Sequence, residues 1–189
     1  MKFNEGKIIE RFCVKKDGKN IEIVLRLPRK KDLKNIWKFY NKVRKETPFL
    51  DIIKSVKMKE ERKWLLNIIQ MVKKKNCIYI LAECNNKIIG ACTVRRQKED
   101  TYLHVGVYDL VVEKEFWGMN IGSALTRNII KIAKEELKLE ILRLILYSGN
   151  RPANELYKKF RFHTAGRIPQ GVKREGNYMD EIIMYKVLK

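Results

Sequence analysis

The chain has 189 residues, 45% hydrophobic and 34% charged, and its 42 Lys and Arg against 22 Asp and Glu give a formal net charge of +20. That length suits one well-cored domain and is short for two, and no apolar run reaches the roughly 18 residues of a membrane-spanning helix. The basic excess favours anionic partners, whether nucleic acid, a ribosome, an acidic protein or a phosphate-bearing cofactor. Because the basic residues spread from Lys15 to Lys189, a composition biased throughout the chain explains them equally well.

The first residues, MKFNEGKIIERF, contain neither the apolar core nor the small-residue cleavage site of an export signal, so a cytoplasmic location is expected. Residues 7–28 predict two strands around an Asp17-Gly18 turn. Leu33, Ile36, Trp37, Tyr40 and Val43 then recur at helical spacing over 31–45, and after Pro48 a second amphipathic helix is expected over about 59–74. CIYILAEC and KIIGACTV flank Asn85-Asn86, a hairpin signal because asparagine tolerates positive φ. A strand is expected from Tyr102 to about Val112, then a glycine-containing loop, a helix from Ile121 to about Leu137, the strand EILRLILYS and the short helix PANELYKKF. HTAGRIP and NYMDEIIMYKVL read as two last strands joined across QGVKREG. The resulting order, ββααβββαβαββ, is a mixed α/β domain containing βαβ crossovers.

Cys13, Cys77, Cys84 and Cys92 form no C-x-x-C pair, and only His104 and His163 could join them. No metal site is expected, and free thiols are the simpler reading. The loop EFWGMNIGSAL is more informative. A strand feeding a helix through Gly118 to Gly122 exposes unpaired backbone N–H groups at the positive end of a helix dipole. Ser123 adds a hydroxyl, and Arg127 and Lys131 follow one and two turns on. The loop is neither a Walker sequence nor a dinucleotide fingerprint, and alone it reads equally well as a capped turn with packing glycines.

Its surroundings add a resemblance. LVVEKEFWGMNIGSAL, followed by NRPANELYKKFRF, resembles the GNAT superfamily of acyl-CoA-dependent N-acyltransferases. That family has a [QR]-x-x-G-x-[GA] loop after a central strand and a downstream pattern like N-x-x-A-x-x-L-Y-x-x-x-G-F. Trp117 stands where the family prefers Arg or Gln, Asn120 where it prefers Gly, and Arg161 replaces the second motif's glycine. The resemblance extends over roughly Val24 to Leu188, and the C-terminal arm is similar to that of bacterial and archaeal amino-acid and ribosomal-protein acetyltransferases. It implies a mostly antiparallel sheet of six to seven strands flanked by helices, with residues 1–19 as an added N-terminal strand or extension of a single domain.

The resemblance also implies a chemistry. The backbone of Leu110, Val111 and Val112 would pair with the pantetheine arm of acetyl-CoA. Gly118, Met119, Asn120, Ile121, Gly122 and Ser123 would hold the pyrophosphate, and Asn150 would bond the pantetheine. Tyr157 would be the general acid toward the departing sulfur, since phenols and thiols ionise in overlapping ranges; packing on the sheet is its simpler role. A base is less evident. Strand alternation sets Asp109 in a row with Leu103, Val105, Val107 and Val111, so burial would raise its pKa and suit it to deprotonate an ammonium. Pairing with a basic residue is its other reading. His104, on the opposite face, is a second candidate, relay through water a third route, and Glu113 reads as surface. The acceptor amine, on a protein, an amino acid or a small molecule, would lie between KETPFLD and QGVKREGNYMDE, within reach of Lys45, Glu46 and Asp180. The basic composition leans toward an acidic or ribosome-associated acceptor. A non-catalytic acyl-CoA-binding module and a basic nucleic-acid-binding protein are the alternatives, and homodimerisation is left open.

Overall fold

The computed structural model describes residues 3–51 and 53–189. Eight strands form one sheet in the order β1-β2-β3-β4-β5-β6-β8-β7. They are β1 Ile8–Lys16, β2 Lys19–Arg26, β3 Cys77–Cys84, β4 Lys87–Arg96, β5 Val105–Val112, β6 Ile141–Tyr147, β7 His163–Arg174 and β8 Asn177–Val187. Four α-helices, α1 Leu33–Glu46, α2 Met58–Lys73, α3 Ile121–Glu135 and α4 Arg151–Lys159, complete the expected order. The strand count exceeds the six to seven anticipated because β1 hydrogen-bonds along β2 and so extends the same sheet. None of the described helices is long and apolar enough to cross a membrane.

Local chemistry explains the boundaries. Asp17 and Gly18 (φ 49° and 75°) close the first hairpin, and Asn85 and Asn86 (φ 46° and 61°) the second, as two-residue turns with both φ positive require. β5 starts at Val105 rather than Tyr102. Ahead of it the Tyr102 N–H bonds Glu99 O at 2.8 Å, closing a short turn, and the His104 carbonyl receives the Glu140 and Ile141 N–H groups. Leu103 and His104 therefore lie outside the strand. The last hairpin turns at Glu175 and Gly176 (φ 50° and 84°), so most of QGVKREG is strand, its irregularity absorbed between Ile168 and Val172 as a bulge. Arg161 adopts the left-handed conformation with φ 59°, which keeps the glycine-type turn at a position where an L side chain is disfavoured.

Side-chain alternation assigns the two faces. Tyr79 on β3 meets Trp64 of α2 edge-on at 5.3 Å, so α1 and α2 cover one face. On the other, Cys92 lies near the Leu125 carbonyl of α3 (Sγ to O 3.8 Å) and Tyr108 bonds the Thr126 hydroxyl at 2.8 Å. β3 and β4 are thus covered on both sides, and their near-continuous burial follows. Under β2 lies a buried charge cluster. The Arg26 guanidinium, 2% exposed, donates to both carboxylate oxygens of Asp32 (2.6 and 2.9 Å) and, through Nε, to Glu83 (2.9 Å).

Candidate active site

Among the described residues, one neighbouring pair of strands is parallel. β5 and β6 pair over Val105–Val107 and Ile141–Arg143 and no further, so the C-terminal half of β5 has an open edge. The Glu113 N–H donates to Ile89 O at 2.9 Å, which fixes the phase of the β4–β5 ladder. By antiparallel alternation the peptide groups of Val111 turn toward β4, and those of Leu110 and Val112 toward the open edge. Of the three backbones expected to pair with a pantetheine arm, Leu110 and Val112 have the required direction. The Trp117 indole N–H takes the Val112 carbonyl at 2.8 Å, so the residue standing in the usual Arg or Gln position pins the loop to the end of the strand.

The loop enters α3 through Gly118 (φ 77°) and Asn120 (φ 60°). A left-handed Asn120 supplies the turn that glycine gives elsewhere. Asn120 provides no side-chain cap, and the first helical bond runs from Ala124 N–H to Asn120 O at 2.9 Å. The N–H groups of Ile121, Gly122 and Ser123 are therefore left facing outward, with the helix dipole behind them. A Cβ at Gly122 would lie 3.3 Å from Leu156 Cδ2 and 3.7 Å from Leu110 Cδ2, so glycine permits α3, α4 and β5 to converge here.

These groups line one cavity of about 230 Å³, bordered by Leu110, Val111, Val112, Gly118, Asn120, Ile121, Gly122, Ser123, Asn150 and Tyr157. Met119 does not line it; its side chain packs on the core. Asn150 caps α4, its Oδ1 accepting the Ala153 N–H at 3.3 Å, which leaves its amide N–H groups for a ligand. Tyr157 is 6% exposed and wedged between Tyr108 and Phe162, with ring centroids at 5.9 and 5.7 Å. Burial pushes its phenol well above the ordinary value, with the charge on Asp109 adding to the shift. That shift removes the near match to a thiol expected from unperturbed values and favours the neutral, hydrogen-bond-donating hydroxyl. Arg127 is committed elsewhere, to Glu10 of β1 at 2.7 Å.

A second cavity, of about 420 Å³, lies on the α1–α2 side and shares Leu50, Leu110 and Val111 with the first. Asp109 lines it, paired with Arg95 at 2.8 Å and accepting from Thr93 at 3.3 Å. Desolvation raises the Asp109 pKa, with Arg95 opposing. Its side chain is nonetheless 57% exposed, so the apolar row it was placed in is open to the cavity. The segment 47–51 walls both spaces: Thr47, Phe49 and Leu50 border the first, Leu50 and Asp51 the second. It is held from β7 by Arg174, 8% exposed, whose guanidinium donates to the carbonyls of Pro48, Leu50 and Arg44 at 3.2, 2.6 and 3.1 Å.

Lys45, Glu46 and Asp180 line neither cavity; Glu46 accepts the Lys114 N–H and Asp180 is bound by Arg167 and the Gln170 N–H. Glu113 is buried rather than on the surface, 7% exposed and bonded to Lys42 of α1 at 2.6 Å. His104 lies in the turn before β5, away from both cavities. Sequence reasoning missed Glu61 on α2, 4% exposed, which lines the second cavity with Tyr40 and Trp64. Its signal was present in the spacing, since Glu61 begins the buried stripe continued by Leu65, Ile68, Ile69 and Val72, and a carboxylate on such a stripe needs a reason. Among the described residues, no group of three or more His, Cys, Asp or Glu could hold a metal.

The sheet is split between β5 and β6, with a helix N-terminus at the mouth of the split and a tyrosine inside it, an arrangement that leaves an open strand edge beside outward N–H groups. The chain belongs to the acetyltransferase (GNAT) family, whose pattern it matches over residues 35–162. It resembles the L-amino acid N-acetyltransferase AaaT of Escherichia coli K12, 26% identical over 108 residues, which make up 57% of this chain and 67% of that protein. An acetyltransferase of the GNAT family from Streptococcus pneumoniae superposes with a TM-score of 0.79 at 27% identity, over 87% of this chain and 99% of that one. The fold is shared at 17% identity with yncA, a putative acetyltransferase from Salmonella typhimurium solved with acetyl-CoA, at a TM-score of 0.78 over 88% of this chain and 94% of that one. General acetyl-CoA-dependent acetyltransferase activity goes with the family; the amine does not.

Proposed function

We propose that the protein is an N-acetyltransferase that moves an acetyl group from acetyl-CoA to a primary amine. The cavity beside β5 would hold the acyl donor and the cavity on the α1–α2 side the acceptor. The observation that carries this reading is that the two cavities meet at Leu50, Leu110 and Val111, so substrates entering from opposite sides can touch there. The donor site fits its ligand chemically. The outward N–H groups of Ile121, Gly122 and Ser123 suit a pyrophosphate, and the free peptide groups of Leu110 and the Val112 N–H suit a chain of amides laid alongside as an added strand.

The thioester supplies an activated acyl group; the protein positions it, excludes water and manages protons. Tyr157, held rigid by its aromatic neighbours, donates a hydrogen bond to the sulfur as negative charge gathers there. A silent acyl-CoA-binding module would require the acceptor side to be closed, yet neither Trp117 nor Arg161 borders the second cavity.

Calorimetric titration with acetyl-CoA, combined with thiol release against a panel of primary amines, tests the reading, and absence of acetyl-CoA binding overturns it. Gly122→Val forces branched methyls against Leu156 at the donor cavity. It is expected to weaken acetyl-CoA binding by about tenfold or more, the scale of overpacking at a tight contact, while leaving the circular-dichroism spectrum unchanged.

A further inference from the structure

The acceptor cavity contradicts the charge of the protein around it. Against a formal net charge of +20, it is lined by four carboxylates, Asp51, Glu60, Glu61 and Asp109, and one guanidinium, Arg95. Three of the four are already engaged. Asp51 accepts the Tyr147 hydroxyl, Glu60 accepts the Lys57 N–H at 3.1 Å, and Asp109 is paired with Arg95. Glu61 is different, because its Oε1 is fully buried and has no hydrogen-bond partner among the described residues. A buried acceptor left unpaired is unfavourable, and a carboxylate that lines a cavity with one oxygen unpaired behind it is explained by a ligand that draws the group round and supplies the donor.

We propose that Glu61 is the acceptor-binding carboxylate: it holds a protonated primary amine carried on an apolar or aromatic body, and takes the proton that the nitrogen must lose before attack. This rests on reading the adjoining cavity as the acetyl-CoA site. An ammonium in the cavity brings the donors that the Glu61 carboxylate lacks, once its side chain turns toward them, and the charge that four carboxylates favour, whereas an anionic acceptor would be repelled. Tyr40 and Trp64, in edge contact at 6.0 Å, offer aromatic surface to the body of the amine and to its charge. The lean toward an acidic acceptor drawn from overall composition is thereby reversed at the site itself.

The chemistry balances. One proton passes from the ammonium to a Glu61 oxygen, and the freed lone pair forms the C–N bond at the thioester carbonyl carbon. The C–S bond breaks with its electron pair on sulfur, the sulfur gains the second proton given up by nitrogen, and Glu61 returns its proton to solvent. Burial raises the Glu61 carboxyl to about 7, where a base is half-ready at neutral pH. The titratable and charged groups that line the cavity with it are Tyr40 of α1, Glu60 of its own helix, Arg95 of β4, Asp109 of β5 and Asp51 of the 47–51 segment, and Tyr79 of β3 lies buried against Trp64.

The test uses the full chain with phenethylamine as the cationic probe and hydrocinnamate as its anionic counterpart. Wild-type protein saturated with acetyl-CoA is expected to acetylate phenethylamine, with kcat/KM rising with pH through an apparent pKa near 7, and hydrocinnamate is expected not to compete. Glu61→Gln should lower kcat/KM by about 100-fold and remove that limb, with the Kd for acetyl-CoA unchanged, and Glu61→Asp should restore part of the rate and the limb. The inference is overturned by an unchanged rate in Glu61→Gln, by hydrocinnamate competing as well as the amine binds, or by no turnover of phenethylamine in protein that does bind acetyl-CoA. Failure of wild-type protein to bind acetyl-CoA would instead bring down the reading of the donor cavity on which the inference stands.

Discussion

Tyr157→Phe is expected to lower kcat by about 100-fold, the scale of a lost proton or hydrogen-bond donor in a transition state, without weakening acetyl-CoA binding. The ring is fixed by Tyr108 and Phe162, and phenylalanine preserves both contacts, so the fold should be undisturbed. What disappears is the hydroxyl, which burial keeps protonated. On the proposed reading it would act as a donor to accumulating negative charge on sulfur, rather than as a group that ionises to a phenolate. Stopped-flow measurement of thiol release, beside calorimetry with acetyl-CoA, separates the two effects. A kcat equal to that of wild type would show that the sulfur leaves without help from Tyr157.

Arg26→Met should destabilise the protein by about 3–5 kcal/mol, the cost of stranding buried charges when one partner is removed. Methionine fills much of the volume but leaves Asp32, with a side chain 5% exposed, and Glu83, 19% exposed, facing each other without the guanidinium that bridges them. The cluster ties the end of β2 to the turn before α1 and to β3, so its loss loosens the frame from which α1 and α2 reach the acceptor cavity. Urea denaturation followed by tryptophan fluorescence measures the change directly. The triple variant Arg26→Met, Asp32→Leu, Glu83→Gln should recover most of the stability, because no buried charge is then left unpaired. Equal stability of Arg26→Met and wild type would refute the account.

The sequence carried the order of elements because each had a local cause. Asn85-Asn86 and Asp17-Gly18 can adopt the φ values that tight hairpins need, and α1 and α2 present regular apolar stripes. The donor loop was legible for a similar reason, since glycines and Asn120 before an amphipathic helix report backbone geometry directly. The register of that loop was not. Whether Leu110, Val111 or Val112 faces the open edge depends on the ladder between β4 and β5, which begins with a hydrogen bond from Glu113 to Ile89 and has no sequence signature. The cavity on the α1–α2 side was the least legible part. Asp109 was found by alternation, but its Arg95 partner lies on a different strand, and Glu61 was hidden inside a stripe that reads as ordinary core until its carboxylate is seen to be unpaired. Overall charge and the charge of this cavity point in opposite directions, because the cavity is lined by a small, unrepresentative sample of the chain.

The segment stapled by Arg174 has a thermodynamic consequence. Residues 47–51 wall both cavities, and their carbonyls at Pro48 and Leu50 are held by one guanidinium. A ligand that settles this segment from the donor side does part of the ordering that a ligand on the acceptor side would otherwise have to do. Linkage would make such an effect reciprocal: the factor by which acetyl-CoA tightened the amine would be the factor by which the amine tightened acetyl-CoA. On the proposed reading, Arg174 would set how much ordering of the segment is left for either substrate to supply, although it lines neither cavity.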